Sequence, residues 1–187
     1  LEVELLLLQP TDVIIIHNGT YLAHWTISVN GLTIIGDARE GVFINSTAPL
    51  TVPIVVNAWD TNITNATLYG ASNGLQVNGA ANRTALANLT LIGATTWGCD
   101  CHGANLRILN MKVMRTPNGF YSQSLGLDID GLEVNVTAGS YKVVLQGDDV
   151  RMVNVTAWGG SSGMILYYAG GPGTNITVRN FAGENAT

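Results

Sequence analysis

Short segments in which apolar and other residues alternate, each closed by glycine or asparagine, recur from one end of the chain to the other. Seven stand out: LTIIG from Leu32, ATLYG from Ala66, LTLIG from Leu89, LRILN from Leu106, GLEVN from Gly131, VRMVN from Val150 and ITVRN from Ile176. Alternation of this kind marks a strand with one buried face. It sets Leu32 and Ile34, Leu89 and Leu91, Leu106 and Ile108, Val150 and Met152, and Ile176 and Val178 on the inner side. The closing residues Gly36, Gly70, Gly93, Asn110, Asn135, Asn154 and Asn180 are of the two types that most readily take a positive φ, as a sharp bend between strands demands. They follow one another at 34, 23, 17, 25, 19 and 26 residues, a mean of 24. A solenoid coil of three short strands and three turns has about that length. GLEVN departs from the pattern, because Glu133 falls in the inner column unless a one-residue bulge near Gly131 resets the alternation.

Further strands fit between these: VIII at Val13, GVFIN at Gly41, IVVN at Ile54, LQVN at Leu75, YKVVLQ at Tyr141 and MILYY at Met164. They are short, rich in β-branched or aromatic residues, and bounded by Gly, Asn or Pro. A β-sandwich is the competing arrangement, but a Greek key requires neither a constant coil length nor a recurring closing residue. The reading is therefore all-β, one domain over residues 1–187, with an N-terminal strand at 1–11 and about seven coils of about 24 residues from 12 to 187.

The segment DVIIIHNGTYLAHWTISVNGLTIIGD, Asp12 to Asp37, resembles the first coil of right-handed parallel β-helix proteins of the pectate-lyase-like superfamily. There an apolar strand leads to a G-T-Y turn, a second strand and an L-T-I-x-G strand. The later segments are similar to generic repeats of that fold and carry the likeness over nearly the whole chain. The resemblance implies a right-handed parallel β-helix and leaves function open, since enzymes, adhesins and passive scaffolds share it.

Composition narrows the partners. Charged residues make up only 11% of the chain and the net charge is −5 with eight basic residues, so no patch exists that could neutralise a run of phosphates. Nucleic acid is excluded on that ground. The apolar runs Leu5 to Leu8 and Val13 to Ile16 are far shorter than a membrane span of about 20 residues. Uncharged polar residues replace the missing charge, with 18 Asn, 19 Thr and 22 Gly favouring turns and strands. The chain opens at Leu1 with neither Met nor a basic stretch, as a mature exported chain does.

Ten N-x-T triplets begin at Asn18, Asn45, Asn62, Asn65, Asn82, Asn88, Asn135, Asn154, Asn175 and Asn185, where composition alone gives about three. One reading is an exported, N-glycosylated protein, located outside the cell or on its surface. The other is that asparagine turns beside Thr-rich strands generate the triplet by accident. Asn135 and Asn154 are the weaker acceptors, since turn hydrogen bonds engage their side chains. Covalent glycans apart, no cofactor is expected.

The enzymes of the resembled superfamily act on polysaccharides by calcium-assisted elimination or by hydrolysis with paired carboxylates, which directs attention to acidic clusters. The best is Asp148-Asp149 with Arg151, supported by Asp128 and Asp130 one coil earlier. Its G-D-D step resembles the acidic pair of β-helix polygalacturonases, yet the G-H-G and R-x-K of that family are missing. Asp148-Asp149 reads more economically as a polar turn before a strand. His17, His24 and His102 show no acidic partner in register, and the bases Lys112, Lys142 and Arg115 stand apart from any acidic cluster. The expectation is a chain that does no catalysis and holds no metal. Cys99 and Cys101, flanking Asp100 and followed by His102, read as a disulfide within or between subunits, ahead of free buried thiols and of a Cu or Zn site lacking a fourth ligand. Trp97 and Trp158 each lie four residues past a closing residue and are expected at equivalent angles three coils apart, as core-edge cover or as platforms for sugar or protein contact.

Neither end of the sequence carries a helical cap, and the first strand, with Leu1, Val3, Leu5 and Leu7, is strongly apolar. Such a solenoid can satisfy its ends by head-to-tail stacking on copies of itself. The leading expectation is a secreted, glycosylated subunit of an extracellular filament, with the chain itself as partner. The alternative is a polysaccharide-binding or polysaccharide-cleaving β-helix module.

Overall fold

The computed structural model describes residues 8–137, 141–160, 164–167 and 175–184. Leu1, Val3, Leu5, Leu7 and Asn185 lie outside them. The strands are β1 (Val13–Ile16), β2 (Gly19–Ala23), β3 (Trp25–Ile27), β4 (Thr33–Gly36), β5 (Val42–Ser46), β6 (Ile54–Val56), β7 (Asn62–Tyr69), β8 (Leu75–Val77) and β9 (Ala85–Ile92). They continue as β10 (Trp97–Cys101), β11 (Arg107–Thr116), β12 (Asn118–Ser122), β13 (Leu127–Val136), β14 (Val143–Gln146), β15 (Val150–Gly159), β16 (Met164–Tyr167) and β17 (Ile176–Glu184). No helix occurs among the described residues, and so none that is long and apolar enough to cross a membrane.

Every pairing between strands is parallel. One sheet runs β1-β4-β7-β9-β11-β13-β15-β17, with β2 and β5 attached beside β7; the other runs β3-β6-β8-β10-β12-β14-β16. The chain alternates between the two sheets, giving about seven turns of a parallel β-helix with β17 opening the next. Between the sheets, equivalent positions stack: Ile34, Ile63, Leu86, Ile108, Ile129 and Met152 follow one another in register, and none is more than 2% exposed. Full burial of each such side chain is worth about 1.5–3 kcal/mol. The expected inner residues are all buried except those of the last coil, where Ile176 is 37% exposed because no coil follows on that side among the described residues.

In the first two coils the leg on the larger sheet consists of two strands, whereas from β7 onward it is one long strand with a bend. A single left-handed residue makes that bend: Asn65, Asn88, Asn110, Gly131, Asn154 or Asn180. The stacked side chains bond from coil to coil, Asn88 to Asn65 at 3.1 Å, Asn110 to Asn88 at 2.8 Å and Asn180 to Asn154 at 3.0 Å. A second left-handed column, Gly31, Asp60, Arg83, Asn105, Gly126 and Asp149, turns the chain from the smaller sheet back to the larger one.

These two columns correct the repeat read from sequence. Gly36, Gly70 and Asn135 are not left-handed, and the quoted segments mix strands before the bend, such as LRILN, with strands after it, such as LTLIG. Both kinds bury alternate residues, so periodicity cannot separate them. No bulge is found near Gly131: β13 keeps one-to-one register with both neighbours there, and the left-handed bend at Gly131 resets the alternation instead, so that Ile129, Leu132 and Val134 are buried and Glu133 turns out to meet Lys112 at 3.0 Å.

Candidate functional site

Strand β10 reads W-G-C-D-C, with His102 next. Its pleat turns Cys99 and Cys101 into the core, where neither is exposed, and leaves Asp100 and His102 on the outer face of the smaller sheet with side chains 18% and 31% exposed. Residues two apart on one face of a strand are neighbours. Nε2 of His102 lies 2.7 Å from Oδ1 of Asp100, and the side-chain N–H of the buried Asn73 donates to the other carboxylate oxygen at 3.2 Å. Oδ1 of Asn73 in turn accepts the backbone N–H of Trp97 at 3.2 Å, tying the start of β10 to the same residue.

Register brings Gln76 of β8 and Tyr121 of β12 alongside Asp100. Nδ1 of His102 is 2.9 Å from Oε1 of Gln123, whose amide donates to Oε1 of Gln146 at 2.7 Å; the Tyr121 hydroxyl donates to that same oxygen at 2.9 Å. Desolvation first, and the charge of Asp100 second, hold the Tyr121 phenol above its usual range, so it keeps its proton at neutral pH. Aromatic rings join in a stripe: Trp97 is 5.1 Å from Tyr121 and 6.3 Å from Tyr141, nearly parallel to the latter at 12°, and Tyr121 is 5.5 Å from the His102 ring. An exposed face of rings beside amides and one buttressed carboxylate suits a ligand with flat apolar faces and many hydroxyls.

Asp100 is the carboxylate of this face, with one oxygen held by His102 and the other by Asn73. A carboxylate held through both oxygens and still partly exposed keeps lone pairs with which it can act as general base or nucleophile. Its register neighbours are Gln76 and Tyr121, so among the described residues no second carboxylate flanks it in the sheet for paired-carboxylate hydrolysis.

The sequence-derived sites fall elsewhere. Asp149 is a left-handed corner residue whose Oδ1 accepts from Asn175 at 3.1 Å, and Arg151 pairs with Asp128 on the larger sheet. Asp130 accepts from Asn154. None of these approaches the aromatic stripe. Trp97 and Trp158 are not at equivalent angles, for Trp97 begins β10 on the smaller sheet while Trp158 lies one residue before the end of β15 on the larger one, opposite Asn135. The residues four before them are different corners: Gly93 follows the end of β9, whereas Asn154 is the bend inside β15. Two histidines do meet acids, His102 with Asp100 and His17 with Asp37 at 3.1 Å, while His24 bonds the carbonyl of Val52. Lys112 likewise has Glu133.

No disulfide joins Cys99 to Cys101: both are free thiols, with sulfurs 2.6 Å apart against about 2.05 Å for a bond. Burial, followed by the hydrogen bond to Cys101, pushes the Cys99 thiol well above its ordinary range. A shared metal with His102 fails on geometry, since the thiols and the imidazole leave the strand on opposite sides. Among the described residues no group of three or more His, Cys, Asp or Glu is placed to hold a metal ion.

The triplets divide by position. Asn65, Asn88 and Asn154 belong to the bend ladder, Asn82 accepts from Asn105 at 2.9 Å, and Asn62 reaches Thr33 at 3.5 Å. Oδ1 of Asn45 is buried without a hydrogen-bond partner, and Asn135 is half-buried. Asn18 is exposed at the corner between β1 and β2.

No family model matches the sequence, and sequence comparison finds no curated relative. The fold is similar to that of solved structures. A pectin methylesterase mutant in complex with a hexasaccharide is 16% identical, with a TM-score of 0.52 over 81% of this chain and 57% of its own. ORF18 of Geobacillus virus E2 is 10% identical, with a TM-score of 0.52 over 92% of this chain and 54% of its own. The pectin methylesterase PemA from Erwinia chrysanthemi is 13% identical, with a TM-score of 0.49 over 94% of this chain and 81% of its own.

This chain therefore spans a little over half the length of the first two of these structures, and at such identities the likeness is one of fold, the parallel β-helix. It overturns the expectation of a chain without catalysis. One solved β-helix of this fold is named as a pectin methylesterase, so the absence of polygalacturonase motifs is no ground for excluding chemistry.

Proposed function

We propose that this chain is a carbohydrate-active β-helix that binds an oligosaccharide across the outer face of the smaller sheet and cleaves an ester carried on it. The observation that supports this reading is the Asp100 carboxylate, held by His102 and Asn73 and set beside the rings of Trp97, Tyr121 and Tyr141. The fold neighbour whose name describes a pectin methylesterase in complex with a hexasaccharide lends it chemical precedent. The rings stack on the apolar faces of sugar units, and Gln76 and Tyr121 offer hydrogen bonds to the hydroxyls around them. Asp100 takes a proton from water as the water attacks the ester carbonyl; the C–O bond to the alcohol then breaks, and Asp100 returns that proton to the leaving oxygen, so that alcohol and carboxylic acid are released and the Asp100 carboxylate is restored. The exposed triplet at Asn18 suits an exported chain.

The test is titration of the protein with methyl-esterified and de-esterified pectin oligosaccharides, together with measurement of alcohol release. The esterified ligand is expected to bind and to release methanol, and Asp100→Asn to stop release while leaving affinity within a few-fold. Failure of any pectin oligosaccharide to bind, or release at the wild-type rate by Asp100→Asn, overturns the reading.

A further inference from the structure

Asp100, His102, Gln123, Gln146 and Tyr121 form one connected set of side chains on three neighbouring coils, and its ends meet, since Tyr121 lies beside Asp100 in register. As the two amides lie, both ring nitrogens of His102 face oxygen, at 2.7 Å to Asp100 and 2.9 Å to Gln123. Both must then donate, which is the charged imidazolium. Gln123 passes the polarity on by donating to Oε1 of Gln146, and that oxygen also takes the Tyr121 hydroxyl.

A second complete pattern exists on the same heavy-atom positions. With both amides turned over, Gln123 donates to Nδ1 of a neutral His102, and Gln146 donates one N–H to Gln123 and the other to the Tyr121 oxygen. The Tyr121 hydrogen is then free to point outward. Neither amide can turn alone, because two acceptors or two donors would face each other between Gln123 and Gln146.

We propose that Gln123 and Gln146 are positioning residues that couple the protonation of His102 to the direction of the Tyr121 hydroxyl, so that the face offers a sugar hydroxyl an acceptor when His102 is charged and a donor when it is neutral. The sugar half of this statement rests on the carbohydrate reading above, whereas the coupling belongs to the protein alone. The groups that face His102 are few. On its own strand there is Asp100; from β12 there are Tyr121 and the uncharged Gln123; opposite it after β8 stands Asn78, which does not titrate. The phenol of Tyr121, pushed upward by desolvation and by Asp100, keeps its hydrogen through neutral pH and so can change direction without being lost.

The experiment follows the ring nitrogens of His102 and the Cζ carbon of Tyr121 by NMR against pH in the unliganded protein, in the wild type and in Gln146→Met. In the wild type both signals are expected to move with one midpoint. In Gln146→Met, His102 is expected still to titrate while most of the Tyr121 change is lost, and Gln123→Met is expected to act in the same way. A wild-type Tyr121 signal that ignores His102 overturns the coupling. So does an undiminished Tyr121 response in both variants, which direct contact between the two rings would produce. Oligosaccharide affinity measured across the same pH range separates the two claims. A pH dependence that flattens in Gln146→Met supports the sugar half, whereas no binding by any variant removes the carbohydrate reading and leaves the NMR result to decide the coupling.

Discussion

Asn154 donates its side-chain N–H to the carboxylate of Asp130 at 2.8 Å, and the bend residue beside that carboxylate is Gly131, with φ +77°. Elsewhere in the ladder one asparagine both bends the chain and bonds the next coil; in β13 the two tasks are split between neighbours. Left-handed backbone costs an ordinary L residue about 1–2 kcal/mol and asparagine less. A Cβ at position 131 meets nothing nearer than 3.4 Å, so space is not the obstacle. Gly131→Ala is expected to lower stability by about 1–2 kcal/mol and Gly131→Asn by clearly less, as read from urea denaturation midpoints at equal slope.

Much of this was legible in the sequence, and the part that was not has a physical cause. Alternation identified the inner residues and the strands, because the pleat makes burial periodic whatever the sheet. It could not identify which corner a strand precedes. LTLIG follows the bend at Asn88 while LRILN precedes the one at Asn110, and both look the same as patterns of apolar residues. The mistaken equivalence of Trp97 and Trp158 follows from that. The Asp100–His102 pair was within reach, since C-D-C-H on a strand puts acid and imidazole together on the face opposite the thiols.

Close approach between coils gives a harsher test than any bend. A Cβ on Gly119 would lie 2.1 Å from the carbonyl oxygen of Lys142 and 2.3 Å from a methyl of Val134. The first of these is backbone in the neighbouring coil and cannot turn aside. Gly119→Ala is expected to destabilise by about 3 kcal/mol, the upper part of the range for overpacking, and to lower the thermal midpoint accordingly. An unchanged midpoint would mean that adjacent coils separate more easily than this register allows.

The corner residues Asp60 and Arg83 form a bidentate pair, at 2.6 and 2.7 Å. The hydrogen bond from Arg83 holds the Asp60 carboxyl below its usual range. A carboxyl depressed in the folded state stabilises above its unfolded value, and that contribution is lost as pH falls through the folded one. Both side chains are about half exposed, so solvent screens the pair and the effect on stability is small. In Arg83→Met the Asp60 carboxyl carbon is expected to titrate at higher pH than in the wild type, while the acid-unfolding midpoint barely moves.

Cys99 and Cys101 are fully buried, and burial raises the Cys99 thiol well above its ordinary range. Alkylation needs the thiolate and access to it. The native protein is expected to resist iodoacetamide at pH 8 for as long as it stays folded, and then to take up two equivalents in denaturant. Rapid labelling of the native state would place the thiols on the accessible side of β10. Failure to label after denaturation would mean that the two sulfurs are bonded in the isolated protein.

The two tryptophans now make a discriminating pair. Trp97 lies in the ring stripe, 5.1 Å from Tyr121, whereas Trp158 stands on the other sheet. An aromatic anchor at the centre of a binding face is worth about 2 kcal/mol, close to thirtyfold in affinity. Trp97→Ala is therefore expected to weaken binding of an esterified pectin oligosaccharide by about that factor, with Trp158→Ala within twofold of the wild type. Calorimetric titration of both variants, after matched circular dichroism spectra establish that each is folded, measures the difference directly. Equal losses would assign the sugar to neither face in particular, and a loss confined to Trp158→Ala would move the binding face to the larger sheet and with it the role argued for Asp100.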